Sequence, residues 1–193
     1  MAYSKGTKLE DEISEEIIAV ATQIAYTDGV GHISVKRILS ELGVTNRVFY
    51  NRFRNLDDVL VVVYDRIMNQ MRECISQGYD ESKDYFEYLI DLAVTVLRKT
   101  YEDKLHFSHY MFEYDSYKDS NRNWWIDHMI PIFDYGIEKG LLRKMDTRLL
   151  GYSIWCFLRG FNADAVGGGL TFEEALDSFK LGINCFLEGM KKR

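Results

Sequence analysis

Proline is almost missing from this chain: Pro131 is the single one in 193 residues. Folds of many short strands need turns rich in glycine and proline, so the shortage favours helices. Cysteine is nearly as scarce. Cys74, Cys156 and Cys185 stand far apart, form no CxxC pair and are odd in number. That pattern points to a reduced, intracellular setting rather than a disulfide framework. The chain shows no basic-then-apolar leader, and no uncharged run approaches the ~18 residues a membrane helix needs. The expectation is a soluble, cytoplasmic protein. A phosphate loop, a nucleophile elbow, an HExxH motif and a GxGxxG fingerprint are also missing. Gly167-Gly168-Gly169 has no Lys-Ser/Thr after it and reads as a loop between helices. These absences argue against an enzyme, and we assign no catalytic residue, cofactor or metal.

What is present is globular: 47% hydrophobic and 28% charged residues. Aromatics reach 14%, which fits either an aromatic-lined cavity or simply a bulky core. The net charge of -6 argues weakly against a nucleic-acid partner, but its distribution matters more. Between His32 and Leu56 the cations Lys36, Arg37, Arg47, Arg52 and Arg54 face a single acid, Glu41. Lys5 and Lys8 add charge just ahead of the first helix, and the remainder is acidic. A basic segment on an acidic body suits local contact with phosphates.

Apolar periodicity predicts helices throughout. The first covers 10–28, with Ile13, Ile17, Ala21 and Ile24 on one face, acids at its start and Gly29 at its end. Ser34 caps a short second helix that runs to about Leu42, where Gly43 stops it. Thr45 or Asn46 caps a third, to about Arg52. Further helices are predicted over 57–77, 82–101, 103–115, 121–139, 146–166 and 172–190. The one at 57–77 is apolar on several sides near its start, as a helix buried by others would be. In the last, Phe172, Leu176, Phe179, Ile183, Phe186 and Met190 form a heptad seam.

Residues 34–53 carry the most information. Two short helices joined by a tight turn at Gly43, with Leu39 and Phe49 at the crossing, make a helix-turn-helix. The second helix of such a unit enters the major groove with its N-terminal residues nearest the bases, here Thr45, Asn46 and Arg47. Arg47 can bond guanine bidentately and Asn46 adenine, each contact contributing about 1–3 kcal/mol of discrimination. Basic residues on short helices are usually just a solvated face. Here the turn, the caps, the basic cluster and a terminal aromatic pair coincide.

The stretch Ile13–Leu60 resembles the DNA-binding domain of the tetracycline-repressor (TetR) family of transcription regulators. The resemblance rests on the Gly29 turn, Ser34-Val35-x-x-Ile38, Leu42-Gly43-Val44-Thr45, Phe49-Tyr50-x-x-Phe53 and Asp58-x-Leu60. It implies an all-α fold: a three-helix helix-turn-helix domain over 1–55 and a regulatory and dimerisation domain of about six helices over 56–193. It further implies a homodimer on a palindromic double-stranded DNA operator, released by a small-molecule effector, with repression the commoner mode. Tyr50 resembles the family's phosphate-contacting tyrosine, and Thr45 the residue that caps the recognition helix and touches the backbone. Asn46, Arg47 and Val48 occupy base-reading positions. Ser34, Lys36, Asn51, Arg52 and Arg54 complete the expected DNA-contacting set. The chain departs from the family at Leu56, where a phosphate-binding lysine is usual, so that contact is expected to pass to Arg54 or Arg52. It departs again at Leu39 and Arg47, where small residues are common.

Beyond residue 56, Gly151, Gly160 and Ala163 would let a partner helix approach, with Phe157 and Phe161 filling the holes. The helices over 146–166 and 172–190 of two subunits would then form a four-helix interface. An effector cavity is expected among Phe107, Tyr110, Met111, Tyr114, Trp124, Trp125, His128, Met129 and Phe133, beside a helix that Pro131 kinks. His106, His109 and Glu113 have spacing that could hold a metal, though polar residues beside a core explain it more simply. A helical interaction module without DNA affinity is the remaining alternative.

Overall fold

The computed structural model describes residues 10–73, 79–102 and 119–192. Among them the regular elements are eight α-helices and one 3-10 turn. They run α1 (Glu12–Asp28), the 3-10 turn (Val30–His32), α2 (Val35–Leu42), α3 (Asn46–Tyr50), α4 (Leu56–Glu73), α5 (Tyr85–Glu102), α6 (Asp119–Glu138), α7 (Thr147–Gly167) and α8 (Phe172–Met190). The predicted helix over 103–115 lies outside the described residues, as do Lys5, Lys8 and Cys74. The all-α expectation holds. The chain groups into two compact units, one ending at Asn69 and the other beginning at Gln70.

In the first unit, Asp11 starts α1 with a capping box: its carboxylate accepts from Ser14 N at 3.0 Å, and Ser14 Oγ accepts from Asp11 N. The apolar stripe then does what its spacing demands. Ile17, Ile18, Ala21, Ile24 and Ala25 are buried, and α2 packs across them. α3 packs on α2, with Phe49 fully enclosed. Burying a side chain of this size contributes about 1.5–3 kcal/mol. α4 buries Val59, Leu60, Val63, Tyr64, Ile67 and Met68.

The second unit is built from α5 to α8. α6 packs most extensively on α7, and α5 on α8. Leu89, Leu97, Ile126, Phe133, Phe179 and Ile183 lie in its core. Thr171 opens α8 with a capping box to Glu174. The heptad seam of α8 faces inward: Phe179, Ile183 and Met190 are buried, and Phe172, Leu176 and Phe186 pack against the same core. Pro131 lies inside α6, which continues as one helix across it. A short antiparallel clasp fastens the end of α8. Arg143 N donates to Met190 O at 2.9 Å, Lys192 N to Leu141 O at 3.0 Å, and Arg143 Nε to Gly189 O at 2.8 Å.

Phe157 and Phe161 are half-buried and pack within their own unit. Phe157 lies 5.8 Å from Phe179 and 5.3 Å from Phe186, and Phe161 lies 5.2 Å from Phe179, ring centre to ring centre. Gly182 makes room for this, since a β-carbon there would meet the Phe157 ring at 2.5 Å. Gly151 likewise faces Ile126 of its own unit, whereas Gly160 opens onto free space. The exposed apolar groups of these two helices are others: Leu149 and Leu181, each about two-thirds exposed, with Tyr152, Cys156 and Cys185 beside them.

Candidate nucleic-acid interface and ligand cavity

The turn between α2 and α3 is built from local chemistry. Ser34 caps α2 by accepting from Arg37 N at 3.2 Å. Gly43 ends α2 in the left-handed conformation, at φ 67° and ψ 26°, which costs glycine little. Thr45 then occupies the N-cap position of α3. Its carbonyl accepts from Val48 N at 3.0 Å, but its hydroxyl makes no capping bond. That hydroxyl is therefore not committed to the helix it precedes.

α3 is pinned by one residue and exposed at the others. Phe49 is fully buried, and the rings of Tyr50 and Phe53 lie 5.3 and 5.6 Å from it. Thr45, Asn46, Arg47, Tyr50 and Asn51 are exposed, and Val48 is half-buried. The ring of Tyr50 stands edge-on to Phe49, which holds it against the surface while leaving it accessible.

The cations sort into two groups. Arg37 is bonded to Asp28 and, at 3.1 Å, to Glu41. Arg54 holds the Asp58 carboxylate with two 3.1 Å bonds, though most of its side chain stays exposed. Arg52 is the correction to the expected set. It is buried, its Nε donates to Asp11 at 2.7 Å, and its Nη1 donates to Val48 O at 2.8 Å. It ties the end of α3 to the start of α1 and does not face outward. The Arg52 bond, joined by those from Ser14, holds the Asp11 carboxyl well below the usual carboxylate range despite some desolvation. Among the described residues, Lys36 and Arg47 are exposed and make no ion pair. Leu56 opens α4 half-buried and offers no charge.

The second unit holds a cavity of about 380 Å³. α5 contributes Tyr88, Leu92 and Val96, α6 contributes Trp125 to Tyr135, α7 contributes Ile154 and Leu158, and α8 contributes Ile183 to Met190. Tyr79 and Glu81, just before α5, complete the wall. Of the expected effector residues, Trp125, His128, Met129 and Phe133 line it. Trp124 does not: its ring stacks on His128 at 3.7 Å and lies under the Arg72 guanidinium at 4.8 Å. Phe107, Tyr110, Met111 and Tyr114 lie outside the described residues, as do His106, His109 and Glu113. Tyr79, Tyr88 and Tyr135 join the wall without belonging to the expected set. The one signal in the sequence for Tyr79 and Tyr88 is their place beside the acidic run 80–84, and Tyr135 has none.

No family model matches the chain. An uncharacterized helix-turn-helix-type transcriptional regulator of Haemophilus influenzae is 22% identical over 76 residues, 39% of this chain and 41% of that protein. The match thus spans about two-fifths of the relative's length. A TetR transcription regulator from Haloarcula marismortui superposes over 93% of this chain and 98% of its own, with a TM-score of 0.72 at 17% identity. The chain has the TetR-family fold. A TetR-family regulator from Pectobacterium atrosepticum agrees, with a TM-score of 0.72 over 94% of this chain and 95% of its own at 14% identity. Among the described residues no helix is long and apolar enough to cross a membrane, and no cluster of metal-ligating side chains is present.

Proposed function

We propose that this chain is a DNA-binding transcription regulator, a repressor that holds a palindromic operator as a homodimer and leaves it when a small molecule enters the cavity. The observation that carries the reading is α3: Thr45, Asn46, Arg47 and Tyr50 stand exposed on a helix pinned by buried Phe49, with the Thr45 hydroxyl uncommitted. That is the surface a recognition helix needs, with Arg47 and Asn46 able to read base edges. Lys36, Tyr50, Ser34 and Asn51 would meet phosphates, and Arg54 would take the role that Leu56 cannot.

The homodimer reading is supported by exposed Leu149 and Tyr152 on α7 and Leu181 on α8. Both helices thus leave large apolar side chains uncovered, as helices that pair with a second copy would. A two-fold pair would set two copies of α3 one DNA turn apart, ~34–36 Å. The cavity is apolar and of a size to hold a small molecule. Occupancy controls DNA affinity only if ligand and operator favour different states.

The test is selection from a pool of random duplexes at low salt, where phosphate contacts are strongest. A retained palindrome with two half-sites is the expected result. If nothing is enriched above background, the reading is lost.

A further inference from the structure

At one end of the cavity four tyrosines gather. The ring of Tyr79 lies 5.0 Å from Tyr88, 5.2 Å from Tyr135 and 5.6 Å from Tyr85. Two of their hydroxyls are already used: Tyr79 donates to Lys83 O at 2.8 Å and Tyr85 to Ile132 O at 2.9 Å. The three tyrosines that line the cavity, Tyr79, Tyr88 and Tyr135, bring their rings together at this end. Glu81 lines the same end and is exposed, and Asp80 and Asp84 flank it in sequence. Among the described residues no lysine or arginine lines the cavity, and His128 is its one imidazole. Lys83 shares the acidic loop, and the Lys139 ammonium lies 5.3 Å from the Tyr135 ring without lining the cavity.

These surroundings select by charge. Aromatic faces attract cations through the ring quadrupole and do so most strongly where water is excluded. A carboxylate of the ligand would meet Glu81 with no lysine or arginine among the described lining residues to offset it. The Tyr79 hydroxyl is held above its ordinary range, first by burial and then by Tyr135, Asp84, Glu81 and Asp80, which fits an electronegative setting.

We infer that the cavity takes a lipophilic cation, with its apolar body among Leu92, Val96, Phe133 and Ile183 and its ammonium head among Tyr79, Tyr88 and Tyr135 opposite Glu81. The inference rests on the reading of this cavity as the effector site and names the class of effector.

Three probes of one chain length test it on the full chain without DNA: decyltrimethylammonium and decanoate below their micelle concentrations, and 1-decanol below its solubility limit. Calorimetry gives the affinities, and the combined fluorescence of Trp124, Trp125 and Trp155 changes when a probe settles beside Trp125 in the cavity wall. The cation is expected to bind tightest. Glu81→Gln, an exposed position, is expected to weaken it about three- to tenfold and leave decanol unchanged, and Tyr88→Leu to weaken the cation more than decanol. The inference is overturned if decanol or decanoate binds as tightly as the cation, if Glu81→Gln weakens all three alike, or if none of them binds. Those results would leave the DNA-binding reading standing. Failure of the duplex selection with the cation still bound would instead remove the regulator and keep the cavity's preference.

Discussion

The Nε of Arg52 donates to the carboxylate of Asp11 at 2.7 Å, joining residues 41 positions apart. The bond closes α3 onto the N-terminus of α1. Because it depresses the Asp11 carboxyl, the unfolded chain binds that proton more readily than the folded one. The stabilisation is therefore fully present above the ordinary carboxylate range and is lost as pH falls through it toward the folded value. Asp11→Asn keeps a competent helix cap and removes only the charge. Its melting temperature is expected to sit below that of the parent chain at pH 7, and the gap to be constant above about pH 5 and to narrow below pH 4. Thermal melts across that range check it. A gap that does not change with pH would mean the pair contributes nothing.

Lys36 and Arg52 should separate cleanly in DNA binding. Lys36→Ala is expected to lower the slope of log affinity against log salt by about 0.9 for each phosphate the lysine no longer neutralises. Arg52→Ala should weaken the fold and leave that slope unchanged. Arg47→Ala should cost about 1–3 kcal/mol on the selected operator and relax preference at one base position. Titrations of each variant at three salt concentrations decide the matter. An Arg52 variant with a reduced slope would return that residue to the DNA face.

Phe49 is the anchor of the recognition helix. Phe49→Ala is expected to destabilise the chain by about 3–5 kcal/mol and abolish operator binding together with it. Chemical denaturation measures the first effect. A variant that stays fully folded would show that α3 is held elsewhere.

The close approach of Phe157 to Gly182 predicts a size-limited site. Gly182→Ala should cost about 1–3 kcal/mol through overpacking, and Phe157→Leu in the same chain should recover part of it. Denaturation of the two single variants and the double variant gives the coupling. Purely additive losses would contradict the packing of that ring on the glycine.

Leu181 is two-thirds exposed on the outer face of α8, so Leu181→Glu should not disturb the core. If the apolar face of α7 and α8 pairs two copies, this change should shift the chain toward monomer in sedimentation and weaken operator binding at least tenfold. A parent chain that is monomeric at micromolar concentration would remove the pairing.

Much of the fold is legible in the sequence because it is decided locally. Ser34 marks the start of α2 by its capping side chain, Gly43 marks its end by its left-handed backbone, and Ile17, Ala21 and Ile24 mark a face of α1 by spacing. Arg52 is not legible in the same way. Its charge suggests the solvent face, but its partner lies 41 residues back, and only the folded chain brings the two together. Trp124 and Trp125 read as a pair, yet neighbouring helical positions point about 100° apart, and only Trp125 reaches the cavity. The tyrosine cluster escapes sequence reading because it joins Tyr79 and Tyr88 to Tyr135 across two helices, and no periodicity within one segment records such a meeting.

The clasp at the end of α8 places unusual limits on sequence drift. Leu187 and Met190, which it fastens, are also walls of the cavity. Two of its three hydrogen bonds run between backbone groups, so the side chain at Lys192 can vary widely without loosening it. Proline is the exception, since it brings no N–H to donate. Among descendants of this sequence, position 192 should therefore wander freely through charge and size while avoiding that one residue, and a proline arising there would be felt first in the cavity.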